Sequence, residues 1–169
     1  AKRSFYLVKL KELLHQRLEM DGLLHVYENI EKKLVPVLAN MEKTGILIDP
    51  KYFETYGNEL KLNLESIEKK IYELANEEFN INSPKQLSEI LFEKMLLDPV
   101  KKTKTGYSTD VEVLEVLASQ GVEISEKLLE YRGYTKLLTT YVEPLPKLVD
   151  ENNRIHTTFH QNGTATGRL

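Results

Sequence analysis

The sequence predicts a mainly α-helical fold: a long antiparallel helix pair, or stalk, carrying a small helical tip, with a short extended segment near the C-terminus. Three observations predict it. Phe53, Tyr56, Leu60, Leu64, Ile67, Ile71 and Leu74 recur at alternating spacings of three and four residues, the pattern of a helix face packed along a partner. A second stripe, Leu128, Tyr131, Leu138, Val142 and Leu145, follows Ser125 at similar spacing. Between the two lie Ser83 with Gln86 and Thr109 with Glu112. Each pair sets a hydroxyl three residues before a side chain that can reach back, so each can satisfy two orphan amides at the start of a short helix.

The elements follow in order. Leu7, Leu10, Leu14 and Leu18 recur at helical spacing until Gly22, and Ile30, Leu34, Leu38 and Met41 repeat the pattern until Gly45. Pro36 lies inside the second segment and is expected to kink it or mark an irregular turn, because proline removes a ladder donor. Gly45-Ile46-Leu47-Ile48 is too short for a helix and reads as extended. Asp49-Pro50 restarts the chain, with aspartate as N-cap and proline at the first helical position, where a missing N–H costs nothing. The stalk helices are expected over about 50–77 and 125–149, with the tip at 78–124. In the second stalk helix Thr135 interrupts the stripe, Gly133 is expected to permit close approach, and Pro144 and Pro146 should bend or end the helix.

Composition sets bounds on function. At 169 residues and 41% hydrophobic, the chain can bury one modest core or two small ones. It has no cysteine, which excludes disulfides and thiolate metal sites and suits a reducing cytoplasm. No apolar run reaches membrane-spanning length, and the first residues lack the apolar region of a signal peptide. With 23 basic and 26 acidic residues, any nucleic-acid binding must be local. Lys101, Lys102 and Lys104 share a loop with Ser108 and Thr109 in which no acidic residue intervenes from 101 to 109. Ammonium groups beside a helix start can cradle phosphate and release its counterions; the plain alternative is a solvated surface loop. Asp110-Val111-Glu112, the one D-x-E match, falls in the first turn of a helix, where acidic residues suit the dipole and the cap. His156 and His160 are four apart, which on a strand separates them by about 13 Å, too far to share an ion.

The last residues, Thr164-Ala165-Thr166-Gly167-Arg168-Leu169, follow Arg154-Ile155-His156-Thr157-Thr158-Phe159-His160-Gln161. That string resembles the opening of the palm domain in the family A DNA polymerases of bacteria. Tyr27-Glu28-Asn29-Ile30-Glu31, Leu34-Val35-Pro36-Val37-Leu38, Met41-Glu42 and Gly45-Ile46-Leu47-Ile48-Asp49 resemble the family's exit from its 3′–5′ exonuclease-type domain. Glu78 to Leu87, Lys101-Lys102-Thr103, Ser108-Thr109 and Leu129-Glu130-Tyr131-Arg132 resemble its thumb. The resemblance runs over essentially the whole chain and keeps the family's order. It implies three parts: residues 1–48 as the end of the exonuclease-type domain, 49–150 as the thumb, and 151–169 as the start of the palm. A chain ending on a small-residue turn that carries an arginine also reads as a boundary inside a longer protein.

The resemblance implies a set of DNA-binding residues without sequence preference, since contacts to phosphate and sugar position a duplex and do not read it. Asn80, Asn82, Ser83 and Gln86 fall at one helix start, where capping is the plain alternative role. Lys101, Lys102, Lys104, Ser108 and Thr109 fall at the next. Lys136 and Tyr141 lie toward the stalk base. Gln161, Thr164 and Arg168 would serve the template-primer surface, with His160 ranked last. The family's arginine matching Arg168 reaches the minor groove at the primer terminus, where the acceptors are nearly independent of sequence. The expected partner is double-stranded primer-template DNA, with deoxynucleoside triphosphates for the whole polymerase, no membrane, a monomeric state and a bacterial cytoplasmic, nucleoid-associated location. No catalytic residue, metal ligand or cofactor is expected in this chain. Magnesium is expected for the whole polymerase, whose catalytic aspartates the resemblance places beyond residue 169, so the chain alone is expected to be inactive. The alternative reading is a helical protein-interaction module whose apolar stripe recruits a partner and whose lysines keep it soluble.

Overall fold

The computed structural model describes residues 2–103 and 106–169, which form two compact units: one from the residues up to Ile48 together with Val149–Leu169, the other from Asp49–Leu148. The first unit opens with α1 (Lys2–Met20), then α2 (Leu24–Val26), a π-helical turn (Tyr27–Glu31) and α3 (Lys32–Thr44). α3 continues through Pro36; the irregularity lies one turn earlier, in the π-helical stretch. Leu38 is buried, but the stripe on α1 keeps Leu7, Leu10 and Leu14 exposed along an open cleft of about 370 Å³ that Tyr27 and Lys32 also line.

The extended stretch after Gly45 is β1 (Ile46–Leu47). It finds its partner far along the chain in β4 (Arg154–Ile155), antiparallel, with Ile46 opposite Ile155 and Leu47 opposite Arg154. The Ile48 amide extends the pairing by donating to the Asn153 carbonyl at 3.0 Å.

The second unit is the stalk and tip. α4 (Pro50–Ala75) starts where the sequence expects it, with the Asp49 carboxylate accepting from the amides of Lys51 and Tyr52. Its partner is α7 (Glu123–Lys136), prolonged by a π-helical turn (Leu137–Val142) and a 3₁₀ turn (Leu145–Leu148). The helical ladder ends where Pro144 supplies no N–H. Leu60, Leu138 and Val142 bury against one another at one end of the pair, with Phe53, Tyr56, Leu64 and Tyr134 packed around them. Toward the other end, Ile67, Ile71, Leu128 and Tyr131 join the core of the tip, so the two helices run antiparallel. The close approach occurs at buried Gly57, where a Cβ would stand 3.2 Å from Val142 Cγ1, and not at Gly133, around which there is open space. The interruption at Thr135 persists in three dimensions, since its hydroxyl is buried without a hydrogen-bond partner.

The tip comprises α5 (Pro84–Ser88) with a π-helical turn (Glu89–Lys94), the hairpin β2 (Lys102–Thr103) and β3 (Gly106–Tyr107), and α6 (Val111–Ser119). Its core gathers Leu87, Leu91, Leu114, Leu117, Ile124 and Leu128, all at most 1% exposed. Leu96, two residues past the end of the π-helical turn, is left-handed, φ +55°, with its side chain 79% exposed. A branched residue there pays backbone strain and gains almost no burial, and glycine returns part of the relief through its larger unfolded-state entropy. Leu96→Gly should therefore stabilise the unit by roughly 0.5–1 kcal/mol, read as a rise in the urea midpoint with unchanged slope.

Candidate nucleic-acid interface

The start of α5 follows the expected cap with one change. Ser83 Oγ accepts from the Gln86 amide at 3.4 Å, but Gln86 Oε1 reaches past Ser83 to accept from the Asn80 amide at 2.7 Å, while the Ser83 amide donates to the Asn80 carbonyl. Asn80 Oδ1 accepts from the Asn82 amide, and Asn82 Nδ2 donates to Tyr131 Oη at 3.3 Å. Asn80, Asn82, Ser83 and Gln86 thus form one polar network, and its Tyr131 contact anchors the entrance of α5 to the second stalk helix.

At α6 the cap is displaced by one residue. Asp110, not Thr109, is the N-cap, its Oδ1 accepting from the Val113 amide at 3.1 Å. Ser108 Oγ accepts from the Asp110 amide, and Ser108 and Thr109 are buried, at 7% and 6% exposure. The reason is competition between two adjacent candidate caps, and the charged aspartate, the better cap, wins at the positive end of the helix. The Thr109 carbonyl accepts a 2.6 Å bond from Arg132 Nη1 on α7. Half-burial draws the Arg132 guanidinium down from its ordinary value, with nearby Asp110 acting in the opposite direction; arginine stays charged throughout the accessible range.

The loop lysines divide. Lys101 Nζ lies 3.1 Å from Asp110 Oδ2 and 3.3 Å from Glu112 Oε2. Its pKa is raised by those two hydrogen-bonded carboxylates, and that of Asp110 is lowered by the Ser108 hydroxyl, the Val113 amide and Lys101. The acid-free run from 101 to 109 therefore does not leave Lys101 unpaired, because helix formation swings the next acidic pair beside it. Lys102 Nζ sits 5.6 Å from the centre of the Tyr107 ring, within reach of a cation–π attraction. Lys104 lies outside the described residues.

Between the two helix starts runs an open groove of about 850 Å³, lined by Ser83, Pro84, Lys85 and Ser88 on one side and by Gly106, Tyr107, Ser108, Thr109 and Asp110 on the other, with Arg132 beside them. Glu89 and Glu93 also border it, so its charge is mixed. Sequence reasoning missed two basic residues here. Lys85 carried a signal, one position beyond the Ser83-Pro84 helix start; Arg132 stands in a string that resembles the thumb, but nothing local ties it to Thr109, which it meets across 23 residues. Lys136 and Tyr141 are exposed on α7 and the turn that follows it.

Gln161, Thr164 and Arg168 belong to the other unit. Gln161 Nε2 donates to the Glu31 carbonyl at 3.0 Å and to its carboxylate at 2.8 Å. Thr164 Oγ1 closes a turn by accepting from the Arg168 amide at 2.9 Å and donating to the Arg168 carbonyl at 3.0 Å, with Gly167 at φ +75° making the reversal. The Arg168 side chain is exposed.

Residues 50–169 match the family model for DNA polymerase family A. The DNA polymerase I of Caldicellulosiruptor bescii is 49% identical over 99% of this chain and 20% of its own length. That of Geobacillus stearothermophilus is 50% identical over 91% of this chain and 17% of its own length, and that of Bacillus subtilis 45% identical over 100% and 19%. Among solved structures, the POL domain of Pol1 from M. smegmatis, in complex with DNA primer-template and dNTP, superposes with a TM-score of 0.84 at 34% identity, covering 96% of this chain and 29% of that one. The chain spans about a fifth of the length of these curated relatives.

Proposed function

Because the chain belongs to DNA polymerase family A, we propose that it serves a DNA-directed DNA polymerase I as the region that grips primer-template duplex without sequence preference. In this reading residues 1–48 close the 3′–5′ exonuclease-type domain, 49–150 are the thumb and 151–169 begin the palm. The observation that carries it is the groove at the tip. Two helix starts, an exposed Lys85 and a half-buried Arg132 converge there, with Ser83 bringing the edge of the Asn80–Gln86 network to the groove, and helix starts with adjacent cations are built to meet phosphate. Asn80, Asn82, Ser83, Gln86, Lys102, Ser108 and Thr109 would place the duplex backbone from the tip, Lys136 and Tyr141 from the stalk, and Gln161, Thr164 and Arg168 from the other unit. Lys101 would contribute once phosphate displaces its carboxylate partners, and Lys104 belongs to the same proposal.

The whole polymerase would extend a primer 3′ end with deoxynucleoside triphosphates in bacterial replication and repair, as a monomer in the cytoplasm at the nucleoid. Magnesium would supply its nucleotidyl-transfer chemistry. The described residues do not fit that ion, since they include no group of three or more His, Asp or Glu side chains able to hold one. Among them, too, no helix is long and apolar enough to cross a membrane. The protein-interaction reading is weaker because the stripes it needs for a partner are consumed inside the chain, with Leu60, Ile67, Ile71, Leu128 and Leu138 buried in the α4–α7 pair and its tip.

Fluorescence anisotropy on a DNA duplex over a salt series tests the proposal. Binding should fall in the non-specific range, Kd about 10⁻⁴–10⁻⁶ M at physiological salt, and weaken with a log–log slope of about −0.9 for each phosphate neutralised. Changing Lys101, Lys102 and Lys104 together to alanine should make that slope shallower. Glu112→Gln, which removes one of the two carboxylates paired with Lys101 and a charge that repels phosphate, should tighten binding. Salt-independent binding, or no loss in the triple variant, would remove the tip from the interface.

A further inference from the structure

We propose that His156 is a positioning residue that acts as a protonation-operated latch: doubly protonated, it fastens the segment after β4 to the C-terminal end of α3, and on losing one proton it releases one side. The geometry demands this. His156 Nδ1 lies 2.7 Å from the Glu42 backbone oxygen and Nε2 lies 3.2 Å from Asp150 Oδ2. Neither a carbonyl nor a carboxylate can donate, so only an imidazolium with N–H at both ring nitrogens satisfies both contacts. A neutral ring in either tautomer sets a lone pair against an oxygen.

Both acceptors are held in place. Asp150 Oδ1 accepts from the amides of Asn152 and Arg154, each at 2.8 Å, and the Asp150 amide donates to the Arg154 carbonyl. The Glu42 carboxylate accepts from the Phe159 amide at 2.7 Å. Arg154 Nη1 donates to the carbonyls of Thr44 and Gly45 at 3.0 and 3.1 Å. The charged groups facing the ring are therefore Asp150, which favours its proton, and Arg154, which opposes it, while Glu42 offers its carbonyl and commits its carboxylate to Phe159.

The electrostatics agree in sign. The Glu42 carbonyl, then Asp150, raise the His156 pKa above its ordinary 6.5. The Arg154 amide, then His156, lower that of Asp150 to about 2. A raised histidine contributes fully below 6.5 and loses its contribution as pH climbs through the raised value; a lowered aspartate contributes above its ordinary 3.8 and loses it as pH falls through about 2. The latch is thus firmest between these ordinary values and loosens on the alkaline side. The residues it steadies, 157–169, include Gln161, Thr164 and Arg168, but the inference does not rest on the DNA reading.

NMR on the 169-residue chain, with ¹⁵N-labelled histidine and backbone amide exchange, tests the latch. At pH 6 both ring nitrogens of His156 should be protonated, and Asp150→Asn should lower the midpoint of its titration. Protection of the Phe159 and Ile48 amides, corrected for intrinsic exchange, should fall by about fivefold between pH 6 and pH 9, the upper end for an exposed ion pair, and His156→Gln should abolish that step. A ring nitrogen unprotonated at pH 6, an unmoved midpoint in Asp150→Asn, or an unchanged step in His156→Gln would each overturn the proposal. The wild-type titration decides the case even where a substitution impairs folding.

Discussion

Leu128→Ala should lower the stability of the stalk-and-tip unit by about 3 kcal/mol, within the range for a buried leucine truncated to alanine. Leu128 is 0% exposed and belongs to the cluster that joins Ile67 and Ile71 of the stalk to Leu87, Leu91, Leu114 and Leu117 of the tip. Its loss leaves a cavity between three elements that cannot close together without shifting the helix pair. For a unit of this size, about 4–8 °C accompanies each kcal/mol, so thermal unfolding followed by circular dichroism should show a drop of roughly 12–24 °C. The contrast is Leu7→Ala on α1. That side chain is 65% exposed, and the same chemical change there should move the transition within about 0.5 kcal/mol of zero. Equal losses at the two sites would mean that α1 has a packed face.

Gly45→Ala should be at least as damaging, through a different physical route and in the other unit. Gly45 sits at φ +66°, ψ −175°, a region essentially reserved for glycine and costing other residues about 1–3 kcal/mol. Space is lacking as well: a Cβ would stand 2.8 Å from the Ile155 carbonyl oxygen and 2.9 Å from the His156 ring. The carbonyl is backbone in the strand paired with Ile46, so it cannot move without breaking the β1–β4 register. Strain and clash together should cost about 3 kcal/mol or more. Proteolysis should then cut within residues 149–169 far faster in the variant than in the parent chain, while the unfolding of Asp49–Leu148 stays unchanged. Unaltered proteolysis would show that α3 can end on a residue bearing a side chain.

The contacts that hold these two sites differ in how far they reach along the chain, and that difference governs what a reader of the sequence could see. The N-cap at Asp49, the stripe from Phe53 to Leu74 and the helix stop before Pro144 each depend on residues within a few positions of one another. A cap links N-cap to the next turn, and a stripe repeats every three or four residues, so both are written locally. The same locality explains the small errors. Thr109 and Asp110 are adjacent and both competent caps; Asp110 takes the role, and the Thr109 carbonyl instead accepts from Arg132, 23 residues away. Gly133 looked like the point of close approach because glycine permits it, but permission is not contact; Gly57 meets Val142 instead.

The candidate interface was legible as residue types and much less so as charge. Asn80, Asn82, Ser83 and Gln86 lie together as their spacing suggests, because one helix start gathers them. Lys101 stood in an acid-free run, yet Asp110 and Glu112 come within 3.1 and 3.3 Å of it, since a hairpin followed by a helix folds the acidic turn back over the loop.

The sequence by itself determined the helices, the cap at Asp49, the antiparallel stalk and the family, all of which rest on short-range periodicity or on ordered strings of residues. Only the tertiary structure decided that β1 pairs with β4, that Arg132 reaches the tip groove, that Lys101 is already paired, and that both nitrogens of His156 face acceptors. Each of these joins residues that the chain separates by more than one helical turn, from six positions to 114. Such pairings are selected by the burial and hydrogen bonding of the whole fold against the entropy of closing the intervening loop, a balance that no local stretch of residues encodes.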